Sequence, residues 1–339
     1  MSTVPARALL TIGVLLALLA PSSPAVSVGS AAPTDSQAVA ARTTAVKAIR
    51  AKGPRLRTSK AVLNHAIACT SNVGKVRKRT VLLVHGTGAV PDDNFTWNYY
   101  AALKKRGNPY CTVRIPKRGM GDLQHNVEFV VHAIRAVHRR AGRKIAIIGH
   151  SQGATLPAYA LRIWPDTAKR VADFISYAGA FDLGTSMANV LCVLPCAEAF
   201  KQYTPGSNFL TALAKHPLPP GPSYTAFATR YDEIVTPQPA ASHLQAPGAR
   251  NYLLQDLCPA DVAEHLLIIA EKPFFQLAFD ALDHRGPGKL SRIGKVTCGL
   301  DKQVANALPA LPGFGTGILT SYPSTLTATE PPLRAYLRR

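Results

Sequence analysis

Apolar residues in this chain gather into short continuous runs, and the stretches between them carry a helical period. The first run in the body of the chain, Thr80-Val81-Leu82-Leu83-Val84, ends at His85-Gly86-Thr87-Gly88. Similar runs occur at 110–116, 144–148, 174–178 and 224–228, and 251–255 is read as the last. Runs this short, bounded by turn residues, predict strands, and 81–84 is apolar throughout. Between them, residues 124–140 place Val127, Val130, Val131, Ile134 and Val137 at helical spacing, and 154–164 reads as a second helix. Strands alternating with helices predict an α/β protein with a mostly parallel central sheet flanked by helices. In such sheets ligands bind beyond the carboxyl ends of the strands.

The two ends of the chain break this pattern. In residues 1–32 the only charge is Arg7, Ala8–Ala20 is apolar but too short to span a bilayer, and small residues follow to Ala32. That is the layout of a secretory signal peptide, with cleavage near Ala25, Ser27 or Ala32, so a secreted, extracellular protein is expected. Roughly 305 residues would remain, a size that α/β sheets reach as single domains. Residues 33–75 read as a basic N-terminal arm with a helical stretch near 38–51, residues 76–300 as the catalytic domain, and 301–339 as an irregular Pro/Gly/Ala-rich tail packed on the core.

The formal charge is +20, and no acidic residue stands between Asp35 and Asp92. Nucleic acid is set aside as a partner: there is no zinc-finger or RRM-like motif, and aromatics are not interleaved with the basic residues. Two readings of the charge stay open, a solvated face that aids solubility and peripheral contact with an anionic lipid or cell-wall surface. The six cysteines suit an oxidising compartment and allow fifteen pairings. No cysteine or histidine cluster has zinc spacing, and neither metal nor cofactor is expected. A monomer is expected.

The chemistry sits at strand ends. Gly149-His150-Ser151-Gln152-Gly153 follows the run 144–148 and opens the helix 154–164. Strand, sharp turn and helix with serine at the apex is the nucleophile elbow of the α/β-hydrolase fold, and the elbow glycines Gly149 and Gly153 are needed because a side chain at either would crowd the turn. In that fold the acid and then the base follow the serine in chain order. Of the four histidines after Ser151, only His265 lies just past the last strand. The acid should follow the strand before it, which selects Asp232, with Glu233 as the fallback. An oxyanion hole needs N–H donors; the N–H of Gln152 supplies one, and the loop 85–88 supplies the other at Thr87, whose hydroxyl can add to it. A phosphate-cradling reading of the same glycines lacks its lysine.

Val-His-Gly-Thr-Gly at 84–88, the Ser-Gln-Gly elbow and Asp-Glu-Ile-Val-x-Pro-Gln at 232–238 resemble the Candida antarctica lipase B family over about residues 60–336. The resemblance implies Ser151 as nucleophile, His265 as base, Asp232 as acid, Thr87 and Gln152 as oxyanion hole, and cofactor-free hydrolysis of carboxylic esters. It also implies the disulfides Cys69–Cys111 and Cys258–Cys298. Cys192 and Cys196 remain, close enough to bridge. The chain departs from that family where His150 replaces a tryptophan, His85 a proline and Glu264 an aspartate, where a terminal cysteine pair has no counterpart, and where Cys192 and Cys196 are additional.

The expected function is a secreted serine lipase or carboxylesterase, acting on acylglycerols. A polyester depolymerase or cell-envelope acyltransferase would use the same residues. A non-catalytic surface-binding protein on a hydrolase scaffold is the reading from another class. Two apolar stretches are candidate rims, 187–200 with Val190, Leu191, Val193 and Leu194, and 305–319 with Leu308, Leu311, Phe314, Ile318 and Leu319; an ordinary core helix and a packed tail are the competing readings. Phe274, Phe275 and Phe279 are candidates for the acyl site, with core packing as the competing reading.

Overall fold

The structure is a computed structural model and describes residues 52–338. The expected signal peptide and the helical stretch near 38–51 lie outside the described residues.

The apolar runs form one sheet. Its strands are β1 (Ile67–Cys69), β2 (Val81–Val84), β3 (Tyr110–Val113), β4 (Ile145–His150), β5 (Val171–Tyr177), β7 (Ser223–Ala228) and β8 (Arg250–Leu253), in the order β1-β3-β2-β4-β5-β7-β8. A two-stranded sheet pairs β6 (Cys196–Ala197) with β9 (Leu326–Thr327) antiparallel. In the large sheet β1 runs antiparallel to β3, and every other pairing is parallel. The parallel register lines up the first residues of β2, β3, β4 and β5 at one end and their last residues at the other.

Side-chain alternation builds two cores. Leu82, Val84, Ile145 and Ile147 enter one, while Val81, Leu83, Ala146 and Ile148 enter the other. Both faces are covered, which is why these strands are apolar throughout. Helix α1 (Leu123–Ala141) starts at Asp122, whose carboxylate accepts the Gln124 N–H, and stops at Gly142 in the left-handed region at φ 66°. It buries Val127, Val130, Val131, Ile134 and Val137, the expected stripe. Helix α2 (Gln152–Ile163) is buried along most of its length.

Three expectations change. Residues 52–75 are not a separate arm: β1 pairs with β3, and Cys69 is bonded to its register partner Cys111. The last strand stops at Leu253, and Leu254–Leu257 forms a helical turn. The C-terminal stretch is not irregular: it contains the helix α3 (Leu311–Ser321) and β9. The other disulfides are Cys192–Cys196 and Cys258–Cys298.

Candidate active site

Ser151 joins β4 to α2 with φ 56° and ψ −126°, a strained backbone for any residue with a side chain. Its N–H donates to Tyr177 O at 2.8 Å, and its carbonyl accepts the Ala154 N–H at 2.8 Å. These bonds fix the turn from the neighbouring strand and from the helix start. A Cβ on Gly149 would run into Gly153 O, and one on Gly153 into Val84 O, both far inside van der Waals contact. The helix packs so tightly on β2 and β4 that only glycine fits at either place.

Asp232 follows β7. Its Oδ1 accepts the N–H groups of Ile234 at 3.0 Å and Val235 at 2.7 Å, which fixes the carboxylate. His265 Nδ1 lies 2.9 and 2.8 Å from its two oxygens, and both residues are buried. A carboxylate only accepts, so Nδ1 carries the hydrogen and Nε2 is left with a free lone pair. Glu233 instead accepts the main-chain N–H of His265 at 3.3 Å, and so braces the backbone rather than the ring. Among the described residues no hydrogen bond joins Ser151 Oγ to His265. Such bonds are often long before substrate arrives.

The loop after β2 supplies the other side. Gln152 Nε2 donates to Thr87 Oγ1 at 2.9 Å and to Gly119 O at 2.8 Å. With its lone pair engaged, the Thr87 hydroxyl is free to donate its own hydrogen outward. The Gly88 N–H donates to Arg118 O at 2.7 Å, from a turn in which Lys117 and Arg118 both have positive φ. His85 is structural: its Nε2 accepts the Ile115 N–H at 3.0 Å, its Nδ1 donates to Gly86 O at 2.8 Å, and burial pushes it down to about 4.

One further group of contacts leaves no mark in the sequence. His150 Nε2 lies 2.9 Å from the carbonyl oxygen of His265, so that nitrogen donates. Its Nδ1 accepts from Asn94 Nδ2 at 3.2 Å, and Asn94 Oδ1 accepts the Gly86 N–H at 2.8 Å. One buried chain thus ties the loop after β2, the serine turn and the main chain of His265 together. Burial, and then the neighbouring His265, push His150 down to about 3, so it stays neutral. Sequence alone marked His150 only as a departure from the lipase pattern, and it did not mark Asn94.

The apolar rim is partly as expected. Val190 and Leu191, at the end of the short helix Met187–Leu191, and Val193 and Leu194, in the loop closed by Cys192–Cys196, are exposed. Just ahead of that helix, the Thr185 hydroxyl donates to Ile234 O at 2.6 Å and ties the start of the segment to the one that follows Asp232. In the second stretch Leu319 is exposed, while the side chains of Leu308, Leu311 and Phe314 lie outside the described ones. Phe274 and Phe275 belong to the core, and Phe279 packs against it, so core packing accounts for all three.

A strand-elbow-helix unit with an aspartate-oriented histidine defines a class, and residues 81–286 match the model of the alpha/beta hydrolase family. The chain belongs to that family. Within it the chain is similar to lipase B of Pseudozyma antarctica, with 28% identity over 223 residues. That match covers 62% of this chain and 64% of the relative, just under two thirds of its length. The crystal structure of Aspergillus fumigatus lipase B superposes with a TM-score of 0.76 at 27% identity, covering 84% of this chain and 74% of that one.

Proposed function

We propose that this protein is a serine hydrolase of carboxylic esters, lipase-like in substrate, working through Ser151, His265 and Asp232. The observation that carries the reading is the His265–Asp232 pair, which leaves Nε2 as the only basic lone pair of a ring that stands 5.1 Å from the ring of His150, next to the serine in the chain. In this reading Ser151 Oγ attacks the ester carbonyl while His265 Nε2 takes its proton. The oxyanion forms against the N–H groups of Thr87 and Gln152 and the Thr87 hydroxyl. The tetrahedral intermediate collapses to an acyl-serine, and His265 returns the proton to the leaving alcohol. Water, deprotonated by the same nitrogen, then releases the acid. Asp232 keeps the ring in its tautomer and stabilises the imidazolium.

Lipid esters are favoured as substrates by the exposed apolar side chains of the 187–194 segment, which comes just after Thr185, itself bonded to the Asp232 segment. Export and monomeric action belong to the same proposal, and the three disulfides support export. The test is Ser151→Ala, assayed with a chromogenic fatty ester and a fluorescent organophosphonate. The variant should lose activity by at least about a thousandfold and take no label. Retained hydrolysis would refute the assignment of the nucleophile.

A further inference from the structure

The loops that enter the parallel strands β2, β3, β4 and β5 share one end of the sheet, opposite the end that carries Ser151. All four are basic. Lys75, Arg77 and Lys78 precede β2 and are exposed. Lys104 and Lys105 precede β3, and both are exposed. Arg139, Arg140, Arg143 and Lys144 lead into β4, and Lys169 into β5, all exposed.

These loops form one surface. Arg143 donates to Arg77 O at 2.5 Å, Lys78 Nζ donates to Arg106 O, and the Ile145 N–H donates to Arg170 O at 2.9 Å. The acids nearby are already engaged, Asp173 by Arg79, Asp283 by Arg106, and Asp166 by Arg135 and Arg170. Among the described residues none of the exposed lysines and arginines of these four loops has an ion-pair partner. Helix ends account for part of the charge, since cations suit helix C-termini. They do not account for Lys75 to Lys78, which end no helix.

The surface also lacks what a bilayer would use. None of the exposed large apolar side chains lies on these loops, whereas Val190, Leu191, Val193 and Leu194 cluster on a segment that follows β5 at the other end. A peripheral membrane face mixes apolar residues with cations. A surface of cations alone, spread over four loops, fits an extended chain of phosphates.

We propose that this end of the sheet docks on a flexible, single-chain polymer of negatively charged phosphate units, of which linear polyphosphate is the simplest, and holds the protein with its Ser151 end facing away. The binding stands without the ester-hydrolase reading; only the orientation of the site rests on it. The experiment measures anisotropy of fluorescein-labelled long-chain polyphosphate with the full chain and with the variant Lys104→Glu, Lys105→Glu, Arg140→Glu, Arg143→Glu. Affinity should fall at least about tenfold between about 50 and 200 mM salt, and at least about tenfold more in the variant. Turnover of a short soluble ester should stay within about twofold, which reports that the variant is folded. A set of Gln substitutions at the same positions should give an intermediate loss. The proposal is overturned if the variant binds as tightly as the parent, or if phosphatidylglycerol vesicles or duplex DNA bind tenfold more tightly per phosphate than polyphosphate.

Discussion

At the scale of single residues, Ser151, Asp232 and His265 were legible because each obeys a rule written in chain order: a glycine-flanked serine after a strand, an acid after a later one, a histidine after the last. His150 obeys no such rule. Its role depends on Asn94 and on the main chain of a residue far downstream, and neither contact leaves a spacing to read. In the proposed mechanism it is a positioning residue. His150→Phe keeps an aromatic ring but removes the donor to His265 O and leaves that buried carbonyl without its partner. We expect kcat on a short chromogenic ester to fall about 10- to 100-fold with KM changed less than about threefold. His150→Gln, which retains an N–H at similar reach, should recover part of the loss. Because the ring stays neutral down to about pH 3, the loss should be uniform across pH 5–9. Asn94→Leu combined with His150→Phe should cost little more than either alone, since the two act in one chain. Additive losses, or a loss confined to one limb of the pH profile, would remove His150 from this role.

At the scale of elements, the buried strands were readable and the marginal ones were not. Strand β1 has only three residues and alternating exposure, and it sits in a basic stretch, so nothing in its composition separates it from an arm. It exists because β3 offers an edge and Cys111 a bond. The segment that closes at Cys192–Cys196 was legible as apolar, but the sequence could not choose between an exposed rim and a core helix, because apolar sequence alone also predicts burial. Its exposure predicts a division of labour: Val193→Asp with Leu194→Asp should lower hydrolysis of an emulsified triglyceride at least about fivefold and leave a soluble short ester unchanged. Equal effects on both substrates would mean that the loop does not meet an interface. The segment that carries His265 ends at Glu271, which is fully buried and has neither carboxylate oxygen hydrogen-bonded among the described residues. Burial, and then repulsion from Asp261, push it up to about 8. A folded value above the unfolded 4.5 means that the native state holds the extra proton, so this group lowers stability as pH rises from about 4.5 to about 8. Glu271→Gln should therefore raise Tm by about 2–4 °C at pH 8.5 and by almost nothing at pH 4.5. A gain largest in acid would contradict the burial argument.

At the scale of the whole molecule, the two ends of the described chain meet at one carboxylate in the middle of α1. Glu128 is fully buried; its Oε2 accepts the N–H groups of Arg57 at 2.8 Å and Thr58 at 2.7 Å, and its Oε1 accepts from Arg334. Around it the same two segments clamp one aromatic group: Trp164 donates to Pro54 O at 2.8 Å, and Tyr336 stacks edge-on against Trp164 with ring centroids 5.6 Å apart. Hydrophobic patterning could not show this, because a glutamate inside an otherwise apolar helix stripe reads as a solvent position until its partners arrive from both ends of the chain. Burial alone would push the carboxyl up, but the Thr58 N–H and Arg334 outweigh it and hold it below the ordinary glutamate value. A depressed folded value gives stability that is present above about pH 4.5 and lost as pH falls through the folded value. Glu128→Gln removes the charge from a buried pair and should lower Tm by about 4–8 °C at pH 7. The gap to the parent should narrow steadily as the pH drops below about 4.5, where the parent glutamate is itself protonated. Thermal melts from pH 3 to 8 decide it: equal Tm values at pH 7, or a gap that widens in acid, would mean that the other contacts of the two terminal segments hold them and that Glu128 contributes no latch.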